Sequence, residues 1–141
     1  MRLNIFEKRK ELQNDLKALD NSLEIRKEMI LCEVSFIEIK KALNLNHFEK
    51  QLLMLGKLDK NKMNEVWEYL SKVREDIKNR DLKYKKFKIY LLENGITWDE
   101  ASKDLNLPVR NIRAILTGER TNRQFEIEKK IETFCKMNLF N

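Results

Sequence analysis

Arg110, Asn111 and Arg113 stand close together in the last third of this 141-residue chain, and their chemistry is recognition rather than bond-making. A guanidinium presents a planar fork of donors that matches the O6 and N7 edge of guanine, so Arg110 can bond a base in two places. Arg113 follows one helical turn later, on the same face. Asn111 can pair with adenine or bond a phosphate, and Val109 can touch a thymine methyl. The same two arginines also suit an ordinary solvated surface. Further cations flank them: Lys78, Arg80, Lys83, Lys85 and Lys86 upstream, Arg120 and Arg123 downstream. Each phosphate such a group neutralises releases counterion, which would make binding steeply salt-dependent. Catalysis has little to work with. His47 is the sole histidine, Cys32 and Cys135 lack a recognisable base or metal-ligand spacing, and no glycine-rich phosphate loop or supported carboxylate pair occurs. No enzyme activity, cofactor or metal is expected.

The arginines need a rigid support, and the segment 96–123 predicts one. Thr97 with Glu100 three residues on forms a capping-box pattern. It opens a helix over 98–105 that would bury Trp98, Ala101 and Leu105. Asn106-Leu107 makes a short turn. Pro108 suits the first position of a second helix, where its missing N–H is not needed. That helix, 108–117, would bury Ile112, Ile115 and Leu116, with Gly118 ending it in a left-handed conformation. Two short helices, a tight turn and exposed arginines on the second helix have the layout of a DNA-reading helix-turn-helix.

Over roughly residues 83–135 the chain resembles the helix-turn-helix family of phage repressors and Cro proteins. Ala101 falls where that family packs a small residue. Leu105, Leu107, Ile112 and Ile115 fall on its core positions, and Gly118 on the glycine after its recognition helix. The chain departs from the pattern at Leu116, where the family often carries an acid, and at Val109, where it often carries a polar base reader. The resemblance implies that the loop after the second helix touches phosphates, a role that would fall to Arg120, Asn122 and Arg123. It also implies a sequence-specific transcriptional repressor of phage or mobile-element type, acting on double-stranded DNA.

Composition agrees with an all-α chain. Three glycines and one proline leave few breakers, and no β-branched cluster alternates strictly. A 42% hydrophobic content supplies a core, 37% charge solvates the surface, and the net charge of +6 favours an anionic partner without proving one. Arg2, Glu7, Lys8, Arg9 and Lys10 crowd the start, so no signal peptide is expected. No apolar run approaches a membrane span, so a cytoplasmic location with no membrane contact is the default. The cysteines read as reduced, partly buried small hydrophobes.

Taken in order, residues 1–20 read as an N-terminal amphipathic helix, with Ile5, Leu12, Leu16, Leu19 and Leu23 near heptad spacing. Such a helix either packs on its own domain or pairs with a second subunit. Asp20-Asn21-Ser22 predicts an interruption, with a new helix over about 23–31. Residues 21–76 form a first helical domain, in which 34–61 repeats 96–123 at an offset of 62. Ser35 falls on Thr97, Phe36 on Trp98, Glu38 on Glu100, Leu43-Asn44-Leu45 on Leu105-Asn106-Leu107, Leu53 on Ile115 and Gly56 on Gly118. So many matching structural roles imply tandem copies of one helical unit. The first copy is altered where reading would occur: Phe48 and Glu49 replace Arg110 and Asn111, and Lys50 replaces Ile112. Glu49 facing a phosphate would repel it, so this copy is expected to have lost base reading. Phe48, Met54 and Leu55 are expected to form a partner surface. Closing helices follow in both copies, with Met63, Val66, Trp67, Leu70 and Val73 in the first. Phe125, Ile127, Ile131 and Phe134 match them after a one-residue slip. Residues 77–141 form the second domain. Its opening run, with Lys83, Lys85 and Lys86, is either a solvated helix face or a backbone-contacting helix, joined without a Gly or Ser linker to what precedes it.

The resulting expectation is an all-α protein of tandem helix-turn-helix domains with an N-terminal amphipathic helix. Base reading falls to Val109, Arg110, Asn111 and Arg113, and phosphate contact to Lys83, Lys85, Lys86, Arg120, Asn122 and Arg123. A homodimer is expected because one short helix reads few base pairs. The N-terminal helix, the first copy and the tail 137–140 are all available as its surface. The alternative is a protein–protein inhibitor or adaptor, as some anti-CRISPR proteins are, working through the N-terminal half.

Overall fold

The apolar residues of the chain sort into two separate cores, each enclosed by four helices. In the computed structural model, residues 4–119 and 123–140 are described, and every regular element among them is an α-helix. The first unit, Met1–Lys78, holds α1 (Ile5–Cys32), α2 (Phe36–Ala42), α3 (His47–Met54) and α4 (Lys60–Ile77). The second, Asn79–Asn141, holds α5 (Leu82–Glu93), α6 (Trp98–Leu105), α7 (Val109–Leu116) and α8 (Gln124–Cys135). No described helix is long and apolar enough to cross a membrane.

Local sequence explains most helix starts. Asn4, Ser35 and Asn46 each accept from the backbone N–H three residues on, and Glu7, Glu38 and Glu49 reach back to the cap's own N–H. Each pair satisfies two backbone donors that a helix N-terminus leaves open. Thr97 caps α6 by accepting from the Glu100 N–H at 3.1 Å, but the Glu100 carboxylate takes up the Thr97 hydroxyl instead of the backbone. Pro108 stands one residue outside α7, at ψ 145°, and its carbonyl accepts from Asn111 and Ile112.

The two units share their turns as well as their helix order. Asn44 and Asn106 both take left-handed conformations (φ 53° and 54°), as do Gly56 and Gly118 (φ 74° and 93°) and Glu33 and Gly95 (φ 58° and 62°). Every pair is 62 residues apart. Buried Ile25, Met29 and Leu53 correspond at that offset to buried Phe87, Leu91 and Ile115. After the slip, buried Val66 and Leu70 match buried Ile127 and Ile131. Trp67 is 38% exposed and Phe125 68% exposed, so these two expected core residues lie at the surface.

Helix α1 does not break at Asp20-Asn21-Ser22 but runs through it. Ser22 is buried and its hydroxyl donates to the Met54 carbonyl at 2.7 Å, while the Asn21 amide approaches the Gly56 carbonyl. With distant acceptors available, these side chains do not compete for their own helix backbone. From Ile5 on, the expected segment 1–20 is therefore part of the same helix as the residues that build the first core. Nor does a continuous helix join the units: Lys78 (φ 60°) and Asp81 (φ 51°) take left-handed backbone between α4 and α5, which ends the helical hydrogen-bond ladder.

Candidate nucleic-acid interface

Helix α7 is anchored by Ile112, Ile115 and Leu116, all buried in the second core with Ala101, Leu105, Phe87 and Ile131. The 3.6-residue period then turns Arg110, Arg113 and Thr117 outward together. Among the described residues, the Arg110 side chain makes no hydrogen bond or ion pair. Val109 and Asn111 are half-buried at the edges of this face.

Arg113 is positioned by an aromatic. Its guanidinium lies over the Trp98 ring, 5.1 Å from the centroid. Trp98, half-buried at the first position of α6, stacks on Tyr84 with centroids 5.9 Å apart and tilts against Phe87 at 5.5 Å. A ring face attracts a cation, and here it restricts where the Arg113 side chain can go. Asp99 and Glu100 in the first turn of α6, and Glu119 beyond Gly118, are exposed acids of the same unit.

The expected phosphate contacts divide. Lys83 and Lys86 are exposed on α5, with the Lys83 ammonium 5.2 Å from the Phe140 ring centroid. Lys85 is only 3% exposed, so it leaves the phosphate set, although it lies on the opposite side of α5 from core-facing Phe87. Arg123 is exposed and paired with Glu126 at 2.7 Å, an exchangeable surface contact. Arg120 and Asn122 lie outside the described residues.

In the first unit the corresponding helix, α3, exposes Phe48 (69%), Gln51 and Leu55 (58%). Met54, expected at the same partner surface, is half-buried, because its carbonyl holds Ser22 and Arg26 of α1. Glu49 does not face outward as a bare acid: it closes the α3 capping box and forms an ion pair with Lys62. Lys50, half-buried, sits in a shallow groove with Ile37, Lys40 and Lys41.

Both cysteines are buried thiols, neither in a disulfide. The Cys32 thiol donates to the Leu70 carbonyl at 3.2 Å and the Cys135 thiol to the Ile131 carbonyl at 2.9 Å. Burial pushes the Cys135 thiol up from its ordinary pKa, away from the reactive thiolate.

The role of Trp98 escaped sequence reasoning, which treated it only as core. The available signal was the repeated aromatic one residue after the cap, Phe36 and Trp98. No family model, no curated protein and no solved structure matches this chain.

Proposed function

We propose that this protein is a sequence-specific binder of double-stranded DNA, and that it acts as a transcriptional regulator of the phage-repressor type. The second unit lays the N-terminal part of α7 in the major groove. Arg110 reads a guanine edge, Arg113 reads from its seat on Trp98, and Val109 and Asn111 contribute at the margins. Lys83, Lys86 and Arg123 contact phosphates, Arg123 by exchanging Glu126 for the DNA backbone. The observation that carries this reading is the exposed, unpaired Arg110 beside Arg113 on a helix whose other face is locked in the core. The test is gel-shift binding to the DNA upstream of the protein's own gene, across a salt series with random DNA as competitor. A specific complex that weakens steeply with salt supports the reading; weak binding equal to that of random DNA overturns it.

A second reading rests on Phe48 and Leu55, large apolar side chains exposed on α3. On this reading the first unit docks a protein, and the chain works as an inhibitor or adaptor. Loss of function on Phe48→Ala with no loss on Arg110→Ala would favour it.

A further inference from the structure

Helix α1 reaches well beyond the fold that it shares with the second unit. Helix α5 begins at Leu82, which corresponds to Asp20, so the stretch from Ile5 to Leu19 has no counterpart. Upstream of Asp15, which pairs with Lys57 at 3.9 Å, no hydrogen bond or ion pair among the described residues reaches another element. This overhang nevertheless carries Phe6 (74% exposed) and, on another side of the helix, Ile5 (78%), Leu12 (63%), Leu16 (60%) and Leu19 (64%).

At 100° per residue these last four side chains fall in one sector about 60° wide. The sector lies roughly 120° around the helix from the face that Ala18, Ser22, Ile25 and Met29 bury. One narrow apolar stripe on the solvent side of a helix is the seam of a two-helix contact. Farther along α1 the same side of the helix is covered: Arg26 lies 4.9 Å from the centroid of Phe36 of α2 and donates to the Met54 carbonyl. Only the overhang is left bare.

Charge points to the occupant. The stripe is bordered by Lys8 and Arg9 toward its N-terminal end and by Asp15 and Asp20 toward its C-terminal end. A second copy running antiparallel sets each basic end against an acidic one, whereas a parallel copy sets like against like. Interface size asks for more than the arm, since a stable contact takes about 20–30 residues a side. The neighbouring α3 face can extend it. Leu55 lies between Met54, held by Ser22 and Arg26, and Gly56, packed on Ala18, so it borders the Leu19 end of the stripe.

We propose that the α1 overhang is the dimer interface of this protein, two copies packing Ile5, Leu12, Leu16 and Leu19 against each other antiparallel, with Leu55 at the edge. The interface does not depend on DNA binding and is tested without DNA. Light scattering on the full chain over a concentration series should reach twice the 17.1 kDa chain mass. The Leu12→Glu/Leu16→Glu double variant should stay at the single-chain mass with α2–α8 still folded by circular dichroism. Phe125→Glu, at an exposed apolar site in the second unit, should dimerise like the original chain. Arg9→Glu should weaken association several-fold, and adding Asp20→Lys should restore it. A single-chain mass at the highest concentration, or a dimer that survives the double leucine change, overturns the interface. Association indifferent to Arg9→Glu overturns its antiparallel sense.

Discussion

Helix α3 exposes Phe48, Gln51 and Leu55 at the positions where α7, 62 residues on, exposes Arg110, Arg113 and Thr117. The same backbone frame thus presents an apolar face in one unit and a basic face in the other. Many buried residues and three left-handed turns correspond, while outward residues differ in kind. The aromatic after the cap shows the divergence in detail. In the first unit Phe36 sits under Arg26, whose guanidinium is drawn inward to the Met54 carbonyl. In the second, Trp98 sits under Arg113 of α7, so the cation stays on the outer face. Packing constrains a fold at its inner positions, and function changes at the outer ones.

The glycines offer the largest contrast. A Cβ on Gly56 would lie 2.0 Å from the Ala18 carbonyl oxygen, while one on Gly118 would meet nothing within 4 Å. Gly56→Ala should cost the first unit at least about 3 kcal/mol, combining a backbone clash with left-handed strain. Gly118→Ala should cost the second unit about 1 kcal/mol from strain alone. Each unit carries one buried thiol, so alkylation of Cys32 and Cys135 through a denaturant series reports the units separately. Gly56→Ala should expose Cys32 at lower denaturant and leave Cys135 unmoved. Equal shifts in both would break the picture of two cores.

The aromatic pair gives a smaller effect. Trp98→Leu should weaken specific DNA binding by about 0.5–1 kcal/mol through loss of the Arg113 seat, and Phe36→Leu should leave it unchanged, both read by gel shift. Smaller still is the contrast between Lys62 and Arg123, which correspond after the slip. Lys62 serves the first unit by pairing with Glu49 of the α3 capping box, whereas Arg123, among the described residues, pairs within its own helix turn. Arg123→Ala should change stability by less than about 1 kcal/mol yet lower the salt slope of DNA binding by about one. Lys62→Ala should lower first-unit stability without altering that slope.

Helices whose signals are local were legible in the sequence. The cap at Thr97, the apolar period of 98–105 and the glycine at 118 fixed α6 and the end of α7 closely. The repeat was legible because both copies kept their caps, turns and glycines. What escaped depended on partners far along the chain. Asp20-Asn21-Ser22 looks like a helix break until the Met54 and Gly56 carbonyls are brought beside it. Lys85 looks like one more exposed cation until the folded chain covers it. Glu49 looks like a bare acid until Lys62 meets it. Arg110 was legible as a candidate reader, since nothing in the fold claims it; the seat that Trp98 makes for Arg113 was not.

The most direct test of the central claim is a paired comparison of Arg110→Ala and Phe48→Ala, binding the DNA upstream of the protein's own gene at fixed salt. DNA recognition by the second unit alone predicts that Arg110→Ala loses about 1–3 kcal/mol of specific binding and that Phe48→Ala loses none. Equal affinities for the two variants and the original chain would contradict it.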